Sequence, residues 1–294
     1  MPDFLPAGPD FGLPEPFFLR ARNKMLDLSR PVVMGILNLS QDSFYAGSRI
    51  EAEKKLLSKA SEMLEEGALI LDLGALSSRP GSAEITEHEE ISLLIPGIRT
   101  LRMEFPDLLI SADVYRSEVA AAALAEGADI INNIRGCDSD EGMLETIASA
   151  KAACILMHSR GDFSEMHKEN AYENIVTEVV SELSFAIAAA RSAGISDVVA
   201  DPGFGFSKNP AQNFQLFRQL SYLSALLGCP VLAGISRKSM IYRSLNSSPE
   251  EALNGTTALH MAALLQGVHI LRVHDVKPAL ETIRLFEKLC SPEL

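Results

Sequence analysis

From Pro31 onward, short apolar runs alternate with longer stretches of helical period, and the alternation continues to the C-terminus. The runs predict strands over 32–37, 68–73, 108–113, 129–134, 153–157, 198–200, 231–235 and 270–273. The stretches between them predict helices over 51–66, 87–105, 117–126, 169–193, 211–227, 250–266 and 278–289. Gly67, Gly127, Gly194 and Gly267 each stand just past a predicted helix, where a left-handed cap requires glycine, and the next strand follows.

Eight strand-plus-helix units in about 264 residues match a (β/α)8 TIM barrel, whose usual length is ~250. An open doubly wound sheet is the weaker reading, because no Gly-x-Gly-x-x-Gly follows the first strand and no change of composition splits the chain. Residues 1–30 carry Pro2, Pro6, Pro9, Pro14 and Pro16, which oppose a long helix. They are expected to form an N-terminal arm on a single barrel domain spanning 31–294.

Composition narrows the partners. A net charge of −13 argues against nucleic acid, whose non-specific affinity comes from basic side chains. The absence of a long apolar run argues against a membrane span, and no basic-then-apolar leader opens the chain, so a cytoplasmic protein is expected. Cys137, Cys154, Cys229 and Cys290 lack metal-ligand spacing and read as reduced thiols.

In such a barrel the chemistry lies at the C-terminal strand ends. Those ends carry Asn38, Asp72, Asp113, Asn132-Asn133, Met157-His158, Asp201, Ser236-Arg237-Lys238-Ser239 and Arg272-Val273-His274. Asp113, Asn132, Asp201 and Lys238 follow apolar strands, so burial forces them to pair with a polar ligand or with one another. Two carboxylates, an amide and an ammonium suit a flat heterocycle with several N–H donors and one carbonyl; an internal ion-pair network is the competing reading. Arg79, Arg272 and His274 form a cationic set. Arg272 and His274, two apart on a strand, share one side, and a guanidinium near helix N–H groups describes a phosphate site. No P-loop and no Gly-x-Ser-x-Gly elbow is present, which disfavours nucleotide-triphosphate and serine-hydrolase chemistry.

Across residues 31–289 the chain resembles the dihydropteroate synthases. The resemblance is carried by Met34-Gly-Ile-Leu-Asn38 with Asp42-Ser-Phe44, Ser77-Ser-Arg-Pro-Gly81, Ser111-Ala-Asp113 with Glu118-Val-Ala120, and Ile130-Ile-Asn132. It continues through Leu156-Met-His158, Asp201-Pro-Gly-Phe-Gly-Phe206, Ser236-Arg-Lys-Ser239 and Leu271-Arg-Val-His-Asp-Val276. It implies a cytoplasmic homodimeric transferase of folate synthesis. Such an enzyme joins 6-hydroxymethyl-7,8-dihydropterin diphosphate to 4-aminobenzoate and releases pyrophosphate with the help of Mg²⁺. The resemblance implies that Asp113, Asn132, Asp201 and Lys238 line the pterin pocket, that Met157 is a further substrate-binding residue, and that Arg272 and His274 anchor the diphosphate. It further implies that Asn38 lies near the metal, that Ser78, Arg79 and Pro80 belong to a loop over the site, and that Phe206, Lys238 and Ser239 hold 4-aminobenzoate. Arg79, Lys238, Arg272 and His274 are then the catalytic group.

Departures from the family pattern fall on the loops. Gln41 stands for a proline, Ala46 for an acid, Leu76 for a glutamate, Ser78 for a threonine, Val114 for a threonine and Asn133 for an aspartate. An acid at 46 is suited to stabilising a cationic pterin intermediate in a closed, low-dielectric site. Its loss predicts retained pterin diphosphate binding with a slower or redirected condensation. A pterin-binding paralogue with weak or no synthesis, and a methyltetrahydrofolate methyltransferase-like enzyme, are the alternative readings.

Overall fold

The computed structural model describes residues 12–39, 49–75, 85–136, 140, 142–161, 168 and 170–291. An antiparallel hairpin of β1 (Phe18–Ala21) and β2 (Lys24–Asp27) comes first. Eight parallel strands follow: β3 (Val32–Asn38), β4 (Ile70–Gly74), β5 (Leu109–Asp113), β6 (Ile130–Asn133), β7 (Ala153–Met157), β8 (Val198–Asp201), β9 (Leu232–Ala233) and β10 (Ile270–Val273). They pair in the order β8-β7-β6-β5-β4-β3-β10-β9, and a bridge between Ala200 and Val231 joins the two ends. The sheet is therefore wrapped into the expected (β/α)8 barrel.

Ten helices among the described residues surround it: α1 (Arg49–Glu65), α2 (Glu87–Glu104), α3 (Ser117–Ala125), α4 (Met143–Ser149), α5 (Ile175–Ser192), α6 (Pro210–Phe217), α7 (Leu220–Leu227), α8 (Ser239–Tyr242), α9 (Leu253–Leu264) and α10 (Val276–Cys290). Gly67, Gly127, Gly194 and Gly267 all adopt the left-handed conformation that the sequence predicts for them. The expected helix over 211–227 is two helices, separated where the Gln219 N–H bonds the Leu216 carbonyl. The expected helix over 169–193 starts only at Ile175, behind an Asn174 cap that accepts from the Thr177 N–H. The strand over 231–235 is reduced to two residues, because the chain turns at Ile235, whose carbonyl accepts from the Lys238 N–H.

Within the barrel, side chains alternate in and out with a period of two. The inward set near the strand starts is apolar: Val32, Met34, Ile70, Leu109, Ile130, Ala153, Ile155, Val199, Leu232 and Ile270. Leu19, Ala21, Leu26 and Leu28 of the hairpin region pack into this same cluster and close the base of the barrel. Each leucine so buried contributes about 1.5–3 kcal/mol relative to exposure. Polar ties secure the arm: Lys24 Nζ and Arg102 Nη2 meet Asp129 Oδ2 at 3.1 and 2.6 Å, and His269 Nε2 lies 3.0 Å from the Glu15 carbonyl.

Candidate active site

Continuing the same inward parity up each strand exchanges hydrocarbon for polar groups. Asn38, Asp72, Ser111, Asp113, Asn132, Met157, Asp201 and Arg272 stand on the inward side above the apolar base. The C-terminal mouth is thus a polar chamber on a dry floor.

Arg272 occupies its centre. Its Nε donates to Asp72 Oδ2 at 2.6 Å and its Nη2 to Asp113 Oδ2 at 2.5 Å. Asn132 Nδ2 donates to the same Asp72 oxygen at 3.0 Å. Burial disfavours the Arg272 cation, but Asp72 and Asp113 outweigh it and hold the guanidinium above its usual range. Burial, only partly countered by Arg272, pushes the Asp113 carboxyl up to about 7. The second oxygen of Asp72, and the hydroxyl of Ser111 that neighbours it across β4 and β5, are buried and unpaired among the described residues. Such groups cost about 1–3 kcal/mol each unless something satisfies them.

Asp201 and Lys238 form the other half of the chamber. An ideal Cβ on Gly234 would lie 3.7 Å from Asp201 Oδ2 and 3.8 Å from Lys238 Nζ, so both groups face the same space above that glycine. Burial raises the Asp201 carboxyl against the pull of Lys238. Burial also draws the Lys238 ammonium down to about 8, against the pull of Asp201. Lys238 Nζ donates to the Phe204 carbonyl and lies 4.4 Å from the centroid of the Phe206 ring. Phe206 packs with Tyr115, Ile134 and Met157 into an apolar wall at the rim.

The turn after β8 owes its shape to one backbone position. Gly203 has φ 68°, its N–H donates to Asp201 Oδ1 at 2.8 Å, and a Cβ there would lie 1.9 Å from the His158 carbonyl. His274 is exposed at the rim, with Nδ1 3.1 Å from Ser236 Oγ. Arg237 is turned to the outside, where it bonds both oxygens of Asp275 at 2.7 and 2.9 Å. Ser239 opens α8 and is half-buried.

The structure thus brings Asp113, Asn132, Met157, Asp201, Phe206, Lys238 and Arg272 into one mouth, with Asn38, Ser239 and His274 around it. Ser78, Arg79 and Pro80 lie outside the described residues, as do Gln41, Ala46 and Leu76. Asp72, read from the sequence among the polar strand-end residues without a role of its own, shares the inward parity of Ile70 and belongs to the mouth; one contributor was not named from sequence. Tyr115 follows the strand end in a short apolar phrase that carries no such signal. Arg272 also sits deeper than a diphosphate anchor alone requires, since its guanidinium bonds both Asp72 and Asp113.

A barrel with an apolar base and a mixed-charge C-terminal mouth has the architecture of a (β/α)8 enzyme. Comparison with known proteins defines which kind. The family model described as "Pterin binding enzyme" matches residues 34–274, and the chain belongs to that family. It is 39% identical over 275 residues to the dihydropteroate synthase of Escherichia coli, covering 93% of this chain and 96% of the relative. It also resembles the Xanthomonas albilineans dihydropteroate synthase solved with 4-aminobenzoic acid, with a TM-score of 0.86, 36% identity and coverage of 93% and 98% of the two chains. The Thermus thermophilus dihydropteroate synthase in complex with 4-aminobenzoate matches with a TM-score of 0.83, 37% identity and coverage of 93% and 100%.

Proposed function

We propose that this chain is a transferase of folate synthesis that condenses 6-hydroxymethyl-7,8-dihydropterin diphosphate with 4-aminobenzoate to give 7,8-dihydropteroate and pyrophosphate. The observation that carries the reading is the pairing of Arg272 with Asp72 and Asp113 beside Asn132, Asp201 and Lys238. That set offers carboxylate acceptors for ring N–H donors, and an amide and an ammonium for ring acceptors.

In this reading Asp113, Asn132, Met157, Asp201 and Lys238 hold the pterin. Arg272, fixed from below by Asp72, and His274 at the rim face the diphosphate, where Arg79 joins them. Phe206, Lys238 and Ser239, with Ser78 and Pro80, receive 4-aminobenzoate. The carbon–oxygen bond to the diphosphate breaks with both electrons leaving on the diphosphate, and the amine nitrogen then bonds to the methylene carbon of the cationic pterin. The extra proton on nitrogen leaves afterwards to water or to the departing anion. An arylamine is largely neutral near pH 7, so the step requires positioning and charge stabilisation more than a strong base.

Asn38, inward-facing at the end of β3, offers a hard amide oxygen of the kind that suits Mg²⁺, which takes few protein ligands and fills its shell with phosphate oxygens and water. Bound there, the ion would neutralise charge on the diphosphate.

We also propose a cytoplasmic homodimer built of a barrel over 31–294 and an arm over 1–30. Among the described residues no helix is long and apolar enough to cross a membrane. The exposed apolar side chains of Tyr222 and Leu226 on α7 and of Leu285 and Leu289 on α10 support association. The test of function is pyrophosphate release measured with and without 4-aminobenzoate. Release that depends on the amine is expected, whereas release indifferent to it, or none, contradicts the proposal.

A further inference from the structure

Lys208 follows the β8 turn and is nearly fully buried, 6% exposed, with its ammonium set among backbone carbonyls and a histidine ring. Its Nζ lies 2.9 Å from His158 Nδ1, 3.0 Å from the Gly203 carbonyl, 3.0 Å from the Phe206 carbonyl and 3.4 Å from the His158 carbonyl. An ammonium carries donors and no acceptor, so Lys208 is the donor and Nδ1 the acceptor. The proton of the His158 ring then belongs on Nε2, which donates to Glu182 Oε2 at 3.0 Å. Burial and the Lys208 charge draw the His158 imidazole down to about 4, in keeping with a neutral ring. Glu182 is held in turn by Arg160, whose N–H donates to Ser207 Oγ at 2.8 Å, and Ser207 Oγ donates back to the Arg160 carbonyl at 2.9 Å.

The segment so gripped lies outside any strand or helix; Asn213 also holds it, accepting from the Gly205 N–H at 2.8 Å and donating to the Lys208 carbonyl at 3.0 Å. Gly203, Gly205 and Ser207 all have positive φ, at 68°, 82° and 54°, and no strand or helix bonds run through them. Asp201, by contrast, is fixed by the sheet: it pairs with Met157 in register, and its carbonyl accepts from the His158 N–H at 2.9 Å. The groups that depend on the turn are the Phe204 carbonyl and the Phe206 ring, both of which contact Lys238, and on the pterin side only the Gly203 N–H that donates to Asp201 Oδ1.

We propose that Lys208 is a positioning residue of the transfer reaction. Its ammonium, oriented by the His158–Glu182 pair, fixes the turn that presents the Phe204 carbonyl and the Phe206 ring to Lys238, and so sets the affinity for 4-aminobenzoate without touching either substrate. The inference rests on the assignment of Phe206 and Lys238 to the 4-aminobenzoate site made above. Its signature is an unequal effect on the two substrates, because the backbone of Asp201 is anchored by β8 whereas Phe206 is placed by the turn alone.

The test uses Lys208→Met in the full chain, which keeps the length of the side chain and removes its donors. The KM for 4-aminobenzoate should rise about tenfold, as expected for the loss of buried hydrogen bonds. The dissociation constant for pterin diphosphate should stay within about twofold, and amide exchange over 203–207 should quicken. An unchanged KM, or a loss of pterin affinity equal to the rise in KM, overturns the proposal. Nitrogen-15 NMR of the wild type decides independently of any variant's folding. A neutral His158 ring protonated on Nε2 at pH 7 supports the network, and a proton on Nδ1 overturns it. If the wild type shows no synthesis, the functional reading fails, while the exchange and NMR measurements still decide whether Lys208 holds the turn.

Discussion

Arg272 Nε donates to Asp72 Oδ2 at 2.6 Å, across 200 residues of sequence and across β3, the strand that separates β4 from β10 in the barrel. The carboxylate is fully buried and also receives the Asn132 amide, so one side chain orients two groups of the mouth. Asp72→Asn keeps the shape and removes the charge. Breaking a buried ion pair on one side costs about 3–5 kcal/mol, so a lower melting temperature and at least a tenfold loss of pterin diphosphate affinity are expected. Asp72→Asn combined with Arg272→Met should recover stability without recovering binding. Thermal melts and calorimetric titration of the two variants separate these outcomes.

Asp113 predicts a pH dependence with a definite sign. Its folded pKa, about 7, is raised by burial above the ordinary value for an aspartate. The folded state therefore holds this proton more tightly than the unfolded chain does. The contribution of the group to stability is full below the unfolded value, near pH 4, and is lost as pH rises toward 7. Relative to Asp113→Asn, the wild type should lose melting temperature between about pH 4 and 7. A difference that is flat over that window contradicts the assignment.

Gly203→Ala places a side chain at a left-handed position, against a carbonyl 1.9 Å away. A cost of about 2–3 kcal/mol or more, or at least about 5 °C in melting temperature, is expected together with a loss of turnover. Gly234→Ala meets its nearest atoms at 3.7 and 3.8 Å, ordinary contact distances, so it should fold normally. It should nevertheless weaken pterin binding by narrowing the space shared by Asp201 and Lys238. Circular-dichroism melts and titration of both variants check the contrast.

Ala46→Asp restores the acid usual in the family at that position. If the acid stabilises a cationic pterin intermediate, kcat should rise several-fold with pterin diphosphate affinity little changed. Steady-state kinetics on the wild type and the variant decide this, and an unchanged kcat removes the acid from the account.

The barrel was legible because buried parallel strands and amphipathic helices impose different periods, and the stops between them are glycines of known geometry. What escaped was set by tertiary context. Leu19, Ala21, Leu26 and Leu28 belong to a hairpin too short to show a period within a proline-rich segment, and only the base of the barrel reveals what they cover. Asp72 was legible as a polar strand-end residue but its role was not, because its bonds to Arg272 and Asn132 depend on how distant strands close around the mouth. Lys208 follows a run of turn residues where no periodicity exists, and its three short bonds depend on how β7 and β8 lie side by side. Asp113, Asn132, Asp201 and Lys238 were legible for the opposite reason: each is a polar residue at or just beyond the end of an apolar strand, where burial without a partner is costly.

The most direct test of the account is the identity and stoichiometry of the product. Wild-type protein incubated with 6-hydroxymethyl-7,8-dihydropterin diphosphate, 4-aminobenzoate and Mg²⁺ should yield 7,8-dihydropteroate by mass spectrometry, one molecule for each pyrophosphate released, with the yield collapsing in Arg272→Met. Tight pterin diphosphate binding without dihydropteroate, or pyrophosphate release that leaves 4-aminobenzoate unconsumed, would contradict it.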